Sequence, residues 1–194
     1  MDLNFFQEIS FSDYIPFKFL RRDEIIHIDK AGIVFDTNFN SINIRENWLH
    51  LFMPVEGDIT QSYDSKGYND SRCLLITSNC EKSWSLSNNK FIEVKRGDIF
   101  SYRIMVNLIG ENNTAYVGID TFDETKKIAQ WYYIKNKINE PDRWIALENR
   151  FTIDDNIDYI RFRLNGLGIG QFRFDDVTII KEVNTATHVS SNNK

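Results

Sequence analysis

The stretch Phe100-Ser-Tyr-Arg-Ile-Met-Val-Asn-Leu108 decides the fold. Phe100, Tyr102, Ile104, Val106 and Leu108 fall on one side of an extended chain, and Ser101, Arg103, Met105 and Asn107 on the other. A side-chain period of two with bulky apolar residues on one side is the mark of a half-buried β-strand. Two further stretches repeat the pattern. Thr114-Ala-Tyr-Val-Gly-Ile-Asp-Thr-Phe122 sets Ala115, Val117 and Ile119 against Tyr116, Gly118 and Asp120. Asp158-Tyr-Ile-Arg-Phe-Arg-Leu164 sets Ile160, Phe162 and Leu164 against Tyr159, Arg161 and Arg163.

Turn-forming clusters separate these runs: Lys95-Arg-Gly-Asp98, Gly110-Glu-Asn-Asn113, Asn139-Glu-Pro-Asp142, Asp154-Asp-Asn156 and Asn165-Gly-Leu-Gly168. The gaps are too short for the crossover helices that a parallel sheet needs. No long segment carries apolar residues at helical spacing. The chain is therefore expected to be all-β, a two-sheet antiparallel sandwich over residues 31–183. Residues 1–30 fit neither period for long, and Pro16 interrupts them. They are expected to be an extension or linker, either packed on the sandwich or left from a preceding domain. The polar stretch 184–194 is expected to be a disordered tail.

The chain has 194 residues and a net charge of −5. An acidic balance argues against a general grip on nucleic acid, which needs a basic field. No apolar run is long enough for a membrane span. Met1-Asp2-Leu3-Asn4 lacks the basic and apolar regions of a secretory signal. Cys73 and Cys80 are too few for a disulfide framework, and two free thiols are expected. Their spacing, with only His27, His50 and His188 available, matches no zinc pattern. No nucleophile-elbow, Walker or metalloprotease motif occurs. Gly166, Gly168 and Gly170 lie between two strands with no helix following, so they read as a turn and not a phosphate loop. Carboxylate pairs such as Asp154-Asp155 and Asp175-Asp176 leave a glycan hydrolase or lyase as a minor alternative.

From Gly32 onward the order of segments resembles a known family. Val34-Phe-Asp-Thr-Asn-Phe-Asn40 comes first, with Trp48 after it. Then follow Gly67-Tyr-Asn-Asp-Ser-Arg-Cys-Leu-Leu-Ile76, Ser83-Trp-Ser-Leu86 and Phe91-Ile-Glu-Val-Lys-Arg-Gly-Asp-Ile-Phe-Ser-Tyr102. The series closes with Thr121-Phe-Asp123, Trp144, Phe151, Ile160-Arg-Phe-Arg-Leu164, Gly170 and Phe174-Asp-Asp-Val-Thr-Ile179. This is similar to the calcium-containing jelly-roll carbohydrate-binding modules, which include xylan- and β-glucan-binding modules of bacterial polysaccharide hydrolases.

The resemblance implies a jelly roll of two antiparallel sheets, a non-catalytic role, and carbohydrate as the partner. It also implies membership in a larger extracellular or cell-surface protein, with this part a monomer. A structural calcium is implied at Asn40, at Asn69 or Asp70, and at Asp175 or Asp176. Asn40 stands where the family has Glu, which removes a charge from the site. Trp48 and Trp144 match core positions.

A sugar presents C–H faces and hydroxyl edges, so its site combines rings with planar hydrogen-bonding groups. Arg103, Asn107, Tyr116, Asp120, Arg161 and Arg163 supply such groups if their strands share a sheet. Trp84, Trp131 and Tyr133 are the candidate rings. The arginines point to an acidic or heavily hydroxylated glycan. The competing expectation is a structural or protein-interaction sandwich without a sugar site. In that case Asp120, Arg161 and Arg163 pair with one another, and Trp84 and Trp131 are buried.

Overall fold

The computed structural model describes residues 24–26, 30–40, 48–52, 58–70, 72–88 and 90–183. The expected extension 1–30, except its end, and the expected tail 184–194 lie outside them. Among the described residues, thirteen strands form two facing sheets. They are β1 (Glu24–Ile26), β2 (Gly32–Thr37), β3 (Trp48–Phe52), β4 (Ile59–Asp64), β5 (Cys73–Ser78), β6 (Ser83–Asn88), β7 (Lys90–Glu93), β8 (Ile99–Ile109), β9 (Thr114–Phe122), β10 (Ile128–Ile138), β11 (Trp144–Thr152), β12 (Tyr159–Leu167) and β13 (Gly170–Lys181). No helix among the described residues is long and apolar enough to cross a membrane.

In the front sheet β12 is central. It pairs with β9 on one side, and β10 follows as the edge strand. On its other side β6 and β7 lie end to end, with β3 beside β6 and β1 beside β7. In the back sheet β13 is central. It pairs with β8 on one side, and β11 follows. Its other side is shared between β5 and β2, with β4 beyond β5. All pairs are antiparallel except β1 with β7, where Glu24–Ile26 runs parallel to Lys90–Ile92. The end of the expected extension therefore joins the front sheet. At one side the two edge strands meet, where Asn136 Nδ2 donates to the Glu148 carbonyl at 2.8 Å.

The alternation read from the sequence places the core. Phe100, Tyr102, Ile104, Val106 and Leu108 of β8 are buried, facing Ile160, Phe162 and Leu164 of β12 and Ala115, Val117 and Ile119 of β9. Trp84 sits at 1% exposure with its ring edge-on to Phe172 (centroids 5.1 Å) and Phe174 (6.2 Å). Gly166, opposite Trp84 in the register, has the reason for its identity there: a Cβ would stand 2.4 Å from the indole. Gly168 and Gly170 make the tight β12–β13 turn with φ of 109° and 149°, a conformation that side chains disfavour. The turn expected over Gly166–Gly170 is therefore confined to residues 168 and 169, because Gly166 is paired inside β12 and Gly170 opens β13.

Cys73 is buried and Cys80 half-buried, and neither forms a disulfide. Burial first, and then the Asp64 and Asp175 carboxylates, push the Cys73 thiol up to about 12. Asp64 behaves oppositely. Burial alone would raise its carboxyl, but the hydrogen bond and charge of Arg173 override that and hold it below its ordinary value.

Replacing Gly166 with Ala forces its new methyl into the Trp84 ring. Overpacking of this kind costs about 1–3 kcal/mol, and urea denaturation is expected to show a loss in that range. A change under about 0.5 kcal/mol, the size of a neutral surface substitution, would place the indole elsewhere.

Candidate binding face

The outer face of the front sheet is built in cross-strand rows. Tyr116, Asn165 and Ser85 stand side by side on β9, β12 and β6, followed by Gly118, Arg163 and Ser87, then by Asp120 and Arg161. Arg163 and Asp120 are diagonal neighbours. Arg163 Nε donates to Ser87 Oγ at 3.2 Å and lies 3.2 Å from Asp120 Oδ2. The side chains are 8% and 0% exposed, so the ion pair is desolvated. Such a pair holds geometry more than it adds stability, because removing two charges from water offsets most of their attraction.

The edge strand β10 adds the ring. Its register passes from Gln130 opposite Thr121 to Ile134 opposite Ile119, so 131–133 lie opposite Asp120 alone. This bulge interrupts the regular ladder at Trp131-Tyr-Tyr133, and bulges re-aim side chains. The half-buried Trp131 ring comes to lie 4.6 Å from the Arg163 guanidinium carbon, a cation–π contact. A second aromatic group closes the other end of the face. Phe91 and Phe122 are in edge contact (4.8 Å), and the Arg161 guanidinium sits over both rings at 5.1 and 5.0 Å.

The structure brings Tyr116, Asp120, Trp131, Arg161 and Arg163 of the expected sugar-binding set onto one sheet, but Tyr116 and Asp120 are buried there, at 3% and 0% exposure. The Tyr133 side chain lies outside the described residues. Three expectations need correction. Trp84 is a core residue, because β6 turns Trp84 and Leu86 inward and its serines outward. Arg103 and Asn107 are on the back sheet, because β8 pairs with β11 and β13. There Arg103 is bound to Glu148 at 2.9 Å, and Asn107 Oδ1 accepts from Arg173 Nη1 at 3.3 Å. Trp144 is half-buried against Tyr68 instead of lying in the core, while Trp48 is in the core as expected.

Sequence reading missed Ser85, Ser87 and Asn165 on the front face. The alternation Ser83-Trp-Ser-Leu-Ser87 carried that signal. Asn165 Oδ1 and Ser85 Oγ are buried without a hydrogen-bond partner among the described residues.

The expected calcium positions cluster at a bulge in β13. Between Asp175 and Thr178 the register slips by one residue, and Asp176 takes a φ of 44°. The buried Asp175 accepts from the Tyr68 N–H through Oδ2 and from the Asp176 N–H through Oδ1, both at 2.9 Å. Asn40 Oδ1 accepts from the Arg72 N–H at 2.8 Å. These bonds join Asn40 to Arg72, and Tyr68 to the Asp175-Asp176 bulge. The donor set is all oxygen, which fits a hard cation in kind. The Asp70 side chain lies outside the described residues, and no cluster of three His, Cys, Asp or Glu able to hold a metal occurs among those described.

No family model matches the chain, and no curated protein matches it. Solved structures do. The enzymatically active domain of bacteriophage CBA120 tailspike protein 4 aligns with a TM-score of 0.61 at 14% identity, over 75% of this chain and 20% of that one. A Clostridium thermocellum endo-1,4-β-D-xylanase fragment, a CBM22-1 and GH10 module pair complexed with xylohexaose, aligns at 0.59 with 17% identity, over 82% of this chain and 30% of that one. The CBM22-1 xylan-binding domain of a Paenibacillus barcinonensis xylanase aligns at 0.57 with 12% identity, over 78% and 95%. The chain thus spans under a third of the first two and nearly all of the third. At these identities the likeness establishes the fold. It is a jelly-roll β-sandwich, the fold that these similar structures share.

Asp120→Ala removes a partner of the buried Arg163 charge, so denaturant unfolding is expected to show a loss of about 3–5 kcal/mol. The double change Asp120→Leu with Arg163→Met is expected to cost clearly less than the single one. Equal losses would mean that the two charges do not depend on each other.

Proposed function

We propose that the chain is a non-catalytic carbohydrate-binding module that holds an oligo- or polysaccharide on the outer face of its front sheet. The observation that carries this reading is the Trp131 ring, lifted by the β10 bulge and braced by Arg163. It offers a flat apolar surface for a sugar face beside directed hydrogen-bonding groups. The names of the similar xylan-binding structures support the same ligand class. Asp120 already meets the charge of Arg163, so this part of the face favours hydroxyl-rich neutral sugars over acidic ones. Within this reading the chain is an accessory part of a larger extracellular glycan-processing protein.

A second reading, a structural or protein-interaction sandwich, has its own support. The Asp120–Arg163 pairing and the buried Trp84 are both what that reading anticipates. Binding separates the two. Titration calorimetry with xylohexaose, cellohexaose and a uronic-acid-bearing xylan is expected to show binding of a neutral glycan. Trp131→Ala is expected to weaken it about tenfold or more, equivalent to about 1.4 kcal/mol. Absence of binding to a broad glycan array would favour the second reading.

A structural calcium belongs to the same proposal, with Asn40, Asp70, Asp175 and Asp176 as the residues that would hold it. A cation bound only by the folded state stabilises it, by about 2.7 kcal/mol at a concentration of 100 times Kd. Melting temperature is therefore expected to fall on chelation with EDTA and to recover with added calcium but not magnesium. An unchanged melt would remove calcium from the proposal.

A further inference from the structure

The back sheet carries a depression of its own, with a volume of about 430 Å³. That lies within the range of about 300–1,000 Å³ typical of small-molecule sites. Its origin is a size mismatch within the sheet. Ser101 lies between Arg150 and Ile180 in the register, and in the next row Arg103 lies between Glu148 and Thr178. One small side chain surrounded by long ones leaves a hollow.

The walls are chemically specific. Arg103 Nε is bound to Glu148 at 2.9 Å, and Arg150 Nε to Glu182 at 2.8 Å. Thr178 Oγ1 donates to Asp36 at 3.1 Å. Each guanidinium is thus anchored through Nε, which leaves its terminal N–H groups to point elsewhere as fixed donors. Both arginine charges are matched by glutamates, so the hollow has no cationic excess with which to hold an anion. Ile180, 36% exposed, supplies an apolar wall, and Ile33 beside it in the register extends that surface. Pre-oriented donors and acceptors, no cationic excess and one apolar wall complement a ligand whose hydroxyls both donate and accept and whose carbons face sideways.

We propose that this hollow is a second saccharide-binding site, taking a neutral sugar on the face opposite Trp131. It takes its ligand class from the function proposed above. A chain with both sites would engage two glycan strands, or two parts of one, and gain from their linkage.

The test is backbone-amide NMR of the full chain titrated with xylohexaose and cellohexaose. The expected result is a set of shift changes at Ser101, Arg103, Glu148 and Thr178 that survives Trp131→Ala. Those changes are expected to be lost, or weakened at least tenfold in Kd, in Ser101→Leu, which fills the hollow. They are expected to weaken similarly in the exposed-site variant Arg150→Met, which guards against misfolding of the first. Changes confined to residues around Trp131 and Arg163 would overturn the second site and leave the front-face reading standing. Changes only around Ser101 would support this site and overturn the front face as the place of binding. Silence at Ser101, Arg103, Glu148 and Thr178 with both sugars at millimolar concentration would overturn the proposal.

Discussion

One strand, β13, has to serve three neighbours, and the rest of the back sheet depends on how it does so. It pairs with β8 along most of its length, with β5 over Gly170–Phe174 and with β2 over Val177–Lys181. The bulge at Asp175-Asp176 falls at the change of neighbour. An extra residue there bends the strand and leaves backbone donors and acceptors without ladder partners. Buried groups of that kind need partners from elsewhere. For the donors the Asp175 carboxylate serves, accepting from the Asp176 N–H of its own strand and from the Tyr68 N–H of the 68–70 turn. The proposed cation position is therefore also the place where the sheet changes partner, and oxygen donors concentrate there for a structural reason.

The front sheet solves a related problem at its edge. A regular β10 would leave a long strand with unpaired N–H and C=O groups facing outward, a template for further pairing. The bulge at 131–133 breaks that regularity and at the same time raises Trp131 over Arg163. The two bulges thus account for both candidate sites on strands whose remaining residues are ordinary alternation.

Alternation made the inner and outer sides of β8, β9 and β12 legible from sequence, because the apolar residues on one side of each strand are large and uninterrupted. It could not assign strands to sheets. Arg103 and Arg161 both read as outward, yet they stand on opposite faces of the molecule. Which sheet receives β8 depends on long-range pairing with β11 and β13, and the period of two carries no trace of that choice. Trp84 was misplaced for a different reason. Its place after a strand suits packing and ligand contact alike, whereas Gly166 opposite it makes room for the indole inside. Trp144 erred the other way, since family position implied core while the local pattern gives a half-buried ring beside Tyr68. The parallel pairing of β1 with β7 lies in a segment where neither period holds, so nothing local announced it.

The Asp120–Arg163 pair bears directly on what the front face is for. A pair of well-packed apolar residues would hold these strands together as well or better, since burying two charges is costly. What the ion pair supplies instead is direction. It fixes a guanidinium plane against Trp131, with Ser87 completing the constraint. A surface prepared in that way has little conformational freedom left to lose when something docks on it, which is the main condition for useful affinity at a shallow site. Glycan and protein partner would both profit from this rigidity. They differ in what they need next to it. A glycan needs hydroxyl-sized partners and a reachable ring, and the half-buried Trp131 supplies the ring, whereas Ser85 and Asn165 of the same sheet are themselves buried. A protein partner needs a broad apolar patch. The large aliphatic side chains exposed among the described residues are Ile33, Ile169, Ile180 and Val183, and Ile33 and Ile180 belong to the back sheet. That contrast between the two sheets supports the proposal of a sugar on the front face.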